Sequence, residues 1–163
     1  MFAVWSIPVK KDADYLSSII KNLSEKYDAP EFFPHITLYG LVDVSLSIVE
    51  DAVRYSIENL SPFLVKNSSI SYSDNFWKSI FINIELNHQL QVINSRLAQR
   101  LSKYSVYEFI PHISLIYKII DTSKKIKIIN KLKLKPELTI NKIGILKFSE
   151  NIHDWKIVRY FEL

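Results

Sequence analysis

An eight-residue segment occurs twice in this chain. The first copy is Glu31-Phe32-Phe33-Pro34-His35-Ile36-Thr37-Leu38 and the second is Glu108-Phe109-Ile110-Pro111-His112-Ile113-Ser114-Leu115. Seven of the eight positions are identical or closely similar, Phe33 against Ile110 being the looser apolar exchange. The two histidines lie 77 residues apart in a chain of 163, near half its length. Each copy follows a helical pattern and reads as extended, so the chain is expected to form two related halves. Side chains alternate faces along a strand. His35 and Thr37 therefore project to one side with Ile36 and Leu38 opposite, and His112 and Ser114 project together with Ile113 and Leu115 opposite. If the halves pack about a pseudo-twofold axis, two imidazoles and two hydroxyls converge in one cleft.

That set suits phosphodiester hydrolysis. A neutral imidazole takes a proton from an attacking water, and a protonated one gives a proton to the departing ribose oxygen. Histidine titrates near neutral pH and can do either. The hydroxyls of Thr37 and Ser114 can hydrogen-bond non-bridging phosphate oxygens as charge develops there. No carboxylates accompany the histidines at ligand spacing, so no metal site is expected. Glu31 and Glu108 read as solvated loop residues, and His88 and His153, which lack the motif, as surface residues.

Composition removes other chemistries. There is no cysteine, so thiol nucleophiles, disulfides and thiolate metal sites are excluded. Only Gly40 and Gly144 occur, too few for a glycine-rich phosphate loop. No apolar run approaches the roughly 20 residues that span a bilayer, and Met1 to Lys11 alternates like a strand rather than a leader. The reading is a cytoplasmic monomer. The net charge of +4 is compatible with an anionic ligand. The lysines that cluster late, from Lys118 through Lys124, Lys125, Lys127, Lys131 and Lys133 to Lys135, read mainly as a solvated helix face.

Helices and strands are mixed along the chain. Strands are expected at Phe2 to Pro8, His35 to Leu41, Phe63 to Tyr72, Trp77 to Leu86 and Ile110 to Ile119, with a final hairpin from Pro136 to Ser149 and Trp155 to Glu162. Apolar residues at helical spacing predict helices over Asp12 to Tyr27, from Ser47 to about Leu60, from Asn87 to Leu101 and over Thr122 to Leu132, the isoleucine–lysine alternation of the last also fitting a strand. Ser47 and Glu50 match a capping box at the second helix.

The paired His35-Ile36-Thr37-Leu38 and His112-Ile113-Ser114-Leu115 segments resemble the two-histidine phosphoesterase superfamily, and within it the cyclic phosphodiesterase branch. The opening Ala3-Val4-Trp5-Ser6-Ile7-Pro8, the continuations Tyr39-Gly40 and Ile116-Tyr117, and the ending Trp155-Lys156-Ile157-Val158 are similar to that branch. The resemblance implies one bilobal α+β domain over residues 1–163. Its two antiparallel β-sheet lobes, with flanking helices, would be related by pseudo-twofold symmetry around a central cleft. It implies His35 and His112 as catalytic residues, Thr37 and Ser114 as phosphate-binding residues, and no cofactor. It implies hydrolysis of nucleoside 2′,3′-cyclic phosphates to 2′-phosphates, and action on ADP-ribose 1″,2″-cyclic phosphate. Other branches act on RNA ends or oligonucleotides, as 2′,5′-phosphodiesterases or ligases. A non-catalytic nucleotide- or RNA-binding module with the same fold is a further alternative. A glycine common soon after the second motif is replaced by Lys118, which stands where it could meet a substrate phosphate.

Aromatic residues near such a cleft can stack on a base. Tyr117, Trp155 and Trp77 are the candidates for substrate binding, with Trp5 and Phe76 beside them, although core packing is the simpler account of Phe76 and of each tryptophan. Tyr117 lies three residues beyond Ser114 and reaches the ligand only if the strand twists or ends there. Tyr39 leaves the His35 face and reads as packed. The expected roles are His112 as base and His35 as acid.

Overall fold

The computed structural model describes residues 1–163. Its elements follow in the order β1 (Phe2–Pro8), α1 (Lys10–Tyr27), β2 (Ile36–Val42), α2 (Leu46–Ile57), β3 (Phe63–Tyr72), β4 (Ile80–Ile84), α3 (His88–Leu101), β5 (His112–Ile116), α4 (Thr122–Ile129), β6 (Glu137–Lys147) and β7 (Lys156–Glu162). All strand pairs are antiparallel. The fold is α+β, and no helix is long and apolar enough to cross a membrane.

The sheet runs β2-β1-β6-β3-β4-β5, with β7 added to β6. This order is symmetric about the β6/β3 junction, and the chain order shows why. The units β1-α1-β2-α2-β3 and β4-α3-β5-α4-β6 repeat one another. Each unit lends its last strand to the other, since β3 pairs with β4 and β6 pairs with β1. The expected two sheets are therefore joined into one path through the β3–β6 ladder, from Phe63↔Ile140 to Lys66↔Glu137. The helices exchange as well, α1 packing on β5 and α3 on β2. The outermost strands β2 and β5, which carry the repeated segments, meet each other.

Burial fixes which way those strands face. Ile36, Leu38, Ile113 and Leu115 are fully buried in a core of 30 residues drawn from both units. Burying each contributes about 1.5–3 kcal/mol. A one-residue slip would turn all four outward and bury the histidines instead, so the register is strongly specified.

Local chemistry moves several expected boundaries. α1 begins at Lys10, not Asp12. The Asp12 carboxylate is buried and accepts from Thr139 N–H (2.8 Å) and Lys135 Nζ (3.0 Å), tying α1 to β6. Ser45 takes the N-cap position of α2 without a side-chain cap bond, and the expected capping box at Ser47 and Glu50 does not form. Glu50 accepts instead from Arg159 Nε of β7 at 2.7 Å. The long strand expected from Trp77 is shortened to Ile80–Ile84, and Phe76–Lys78 form a turn of 3₁₀ helix. Side chains hold that turn: Asn75 Oδ1 accepts from Trp77 N–H (2.9 Å) and Ser73 Oγ donates to the Lys78 carbonyl (2.5 Å). Such local bonds compete with a sheet ladder. The late lysines are not all a solvated face, because Lys125 is fully buried and donates to the Ser73 carbonyl and the Asp74 carboxylate, both at 2.7 Å.

Candidate active site

His35 immediately precedes β2 and His112 opens β5. Where β2 and β5 meet, His35, Thr37, His112 and Ser114 line one cavity of about 260 Å³. This is just below the usual range for small-molecule sites, about 300–1,000 Å³. Eight of its thirteen lining residues are apolar, so a ligand's non-phosphate part would be held by contact rather than by charge.

The two imidazoles are set by the same device. His35 Nδ1 lies 2.7 Å from the Phe33 carbonyl, and His112 Nδ1 lies 2.7 Å from the Ile110 carbonyl. A carbonyl only accepts, so each Nδ1 carries the proton and each neutral ring presents Nε2 as an acceptor. Each ring also has an aromatic neighbour from the adjoining strand. Trp5, paired with Thr37, stacks on His35 with centroids 3.5 Å apart and planes 8° apart. Phe81, paired with Ser114, meets His112 edge to face at 5.6 Å. Trp5 and Phe81 occupy equivalent places in the two units.

The pair is not electrostatically equal. His35 is 7% exposed, and burial pushes its imidazole down to about 3, opposed by the Phe33 carbonyl and reinforced by His112. His112 is half-buried. Its imidazole is held below the ordinary value by burial first and by the charge of Lys78, the Ile110 carbonyl opposing. The greater enclosure of His35 runs against the expectation that it serves as the acid.

Ser114 Oγ donates to the Trp77 carbonyl at 2.8 Å, which ties the second motif to the 3₁₀ turn. Thr37 lines the cavity opposite, its backbone carbonyl accepting from Tyr107 Oη at 3.3 Å. Gly40 lines it too, and a β-carbon there would come within 2.6 Å of the Tyr107 ring.

Trp5, Trp77, Tyr117 and Trp155 all line the cavity. Tyr117 does so because β5 ends at Ile116, so strand alternation no longer governs it. Its ring is buried and stacked on Phe32 (3.6 Å, 13°), and burial pushes its phenol up. Trp77 is 42% exposed and stacks on Trp155 at 5.6 Å and 19°. Trp5 is both core and lining, being 4% exposed. Phe76 is outside the lining and packs behind, against Trp77 and Tyr117. Tyr39 is buried, with its hydroxyl on the Ser105 carbonyl. His88, His153, Glu31 and Glu108 are exposed. Lys118 does not face the cavity: its ammonium binds the Asp28 carbonyl and lies 3.4 Å from the Asp28 carboxylate. The sequence reading missed Phe148 and Leu146, which line the cavity from β6 and the residue after it, and Phe81 and Lys78 beside His112. No group of three or more His, Asp or Glu side chains is placed to hold a metal ion.

A symmetric strand-exchanged sheet, with a His-x-Thr and a His-x-Ser strand meeting over one cavity, defines the class of two-histidine phosphoesterases. Solved structures share the fold. Escherichia coli LigT, complexed with 3′-AMP, is 11% identical with a TM-score of 0.66 over 99% of this chain and 96% of that one. TT0787 of Thermus thermophilus is 13% identical with a TM-score of 0.69 over 99% and 97%. Kluyveromyces marxianus Usb1 is 12% identical with a TM-score of 0.52 over 99% and 96%. LigT has also been solved with phosphate, NADP+ and ATP. No curated protein sequence is significantly similar to the chain. The chain belongs to the cyclic phosphodiesterase-like protein family, whose profile matches residues 1–163.

Proposed function

We propose that this protein hydrolyses nucleoside 2′,3′-cyclic phosphates to 2′-phosphates by acid–base catalysis between its two histidines, without a metal. The observation that carries the reading is the matched pair of Nδ1–H···O=C bonds, which leaves both Nε2 atoms free at one small aromatic-lined cavity. A water oxygen attacks phosphorus as one Nε2 takes its proton. The P–O3′ bond breaks, and the other ring, protonated, gives its proton to the departing ribose oxygen. We assign the base to His35, the more enclosed ring, and the acid to His112, which holds a proton to higher pH. Thr37 and Ser114 would donate to the non-bridging oxygens, Ser114 by leaving the Trp77 carbonyl. The base would lie among Trp77, Trp155 and Tyr117. All of these groups come from one chain, so a monomer suffices. ADP-ribose 1″,2″-cyclic phosphate is the second candidate substrate, of which only the cyclic-phosphate end would enter the cavity.

The competing reading, an RNA-end or oligonucleotide substrate, draws on the fold shared with LigT and Usb1. The size of the cavity and its apolar lining favour the smaller substrate. Chromatographic assay of a 2′,3′-cyclic mononucleotide beside 2′,5′-linked and cyclic-phosphate-ended oligonucleotides separates the two. Higher kcat/KM on the mononucleotide is expected. Turnover of the oligonucleotides alone would replace the proposal with its competitor.

A further inference from the structure

A cyclic phosphodiester carries one negative charge, yet no lysine or arginine lines the cavity. Burial also disfavours the protonated form of both imidazoles. A cation does stand on the His112 side. Lys78 follows Trp77 in the 3₁₀ turn, and its Nζ lies 4.3 Å from the centre of the Phe81 ring. Phe81 is the ring that meets His112, and the charge of Lys78 is felt at His112.

Lys78 differs from the other lysines around the site in having no anion of its own. Lys118 is held by Asp28, and Lys125 by Ser73 and Asp74. Asp74, the carboxylate on the same turn, is thus already engaged. Lys78 is half-buried, burial holds its ammonium below the ordinary lysine value, and what it meets is the face of Phe81 rather than an anion. An ammonium partly withdrawn from water without a counter-ion is costly, and a bound anion would offset that cost. Its place is also fixed relative to the second motif, because Ser114 Oγ bonds the carbonyl of the preceding residue and Ser73 Oγ bonds its own.

We propose that Lys78 is a substrate-phosphate-binding residue, whose ammonium draws the phosphate anion to the His112 side of the cavity. The inference rests on reading the cavity as a phosphate site. It adds a cation to the four groups of the repeated motifs. Trp77 and Lys78 are neighbours in one short turn, so a single segment would bring a stacking ring and a charge to the same ligand.

The test is calorimetric titration of inorganic phosphate into wild type, Lys78→Met and Lys78→Arg, at low and high salt. Met keeps the stem that covers Phe81 and removes the charge. A charged hydrogen bond is worth about 1.5–3 kcal/mol, so Lys78→Met should weaken phosphate binding about tenfold or more. Lys78→Arg should recover most of the affinity, and the salt dependence should shrink in the Met variant. With a cyclic nucleotide, KM should rise while kcat changes little. Phosphate affinity unchanged in Lys78→Met, with the Arg variant also unchanged, would overturn the inference, as would failure of the wild type to bind phosphate. Phosphate binding is read without turnover. Lys78-dependent binding without hydrolysis would therefore refute the proposed activity alone, and hydrolysis indifferent to Lys78 would refute this inference alone.

Discussion

His35 and His112 share a tautomer lock but not an environment, and the difference gives a pH profile. For kcat/KM, which reports the free enzyme, the proposed assignment requires an active form with His35 neutral and His112 protonated. As pH rises through the lowered value of His112, the acid loses its proton and activity falls. As pH falls towards about 3, His35 gains a proton and the base is lost. The profile should be a bell whose alkaline limb lies below the ordinary imidazole value of about 6.5. A plain sigmoid, or an alkaline limb above pH 7, would count against this assignment. The four motif residues were legible because strand alternation acts on nearest neighbours: once Ile36 and Ile113 are inside, His35 and His112 must face the other way. Tyr117 was not legible in that way, since only the end of β5 at Ile116 frees its ring to turn inward. Lys78 was invisible because its place beside His112 depends on a β4–β5 register that no local pattern encodes.

At the scale of elements, the turn at Phe76–Lys78 decides how the cavity is closed. It is held from below by Lys125, whose ammonium reaches the Ser73 carbonyl and Asp74 from α4. Lys125→Met would fill the same space but leave the Ser73 carbonyl unpaired, at about 1–3 kcal/mol. Thermal unfolding should show the lower stability. Steady-state kinetics should show a raised KM, because Trp77 loses its fixed position. A variant as stable and as active as wild type would show that Lys125 does not support the turn. The sequence suggested a continuous strand here because Ile80, Ile82 and Ile84 alternate cleanly and Trp77 and Ser79 extend the pattern. Side-chain bonds from Ser73 and Asn75 break it, and such bonds carry no periodicity. The second helix shows the same limit, since Glu50 matches a capping box yet is drawn off by Arg159, 109 residues away. Helix α3 was placed within a residue because its pattern and its burial coincide at Leu90, Ile93, Leu97 and Leu101.

For the whole molecule, the repeat announced two halves but not their exchange of strands. That β6 pairs with β1 and β3 with β4 follows from three-dimensional closure, which makes one core from both units and brings β2 and β5 together. The site therefore depends on global folding, and folding depends on the site's protonation. His35 in the unfolded chain titrates near 6.5 and in the folded chain near 3. Between these values the unfolded state binds more protons, so stability is full above about pH 6.5 and declines as pH falls, by up to about 1.4 kcal/mol per pH unit from this residue. Melting temperatures at pH 4.5 and 7 should differ less in His35→Phe than in wild type, an equal difference in both being the contrary result.

The central claim, hydrolysis by two histidines, is tested most directly by phosphorus NMR. Purified protein would be incubated with a 2′,3′-cyclic nucleotide in EDTA, beside His35→Ala and His112→Ala. The account predicts conversion to the 2′-phosphate by wild type, and rates lower by about 10²–10⁴ in each variant. No conversion by wild type in EDTA, with activity restored by added metal, would contradict it.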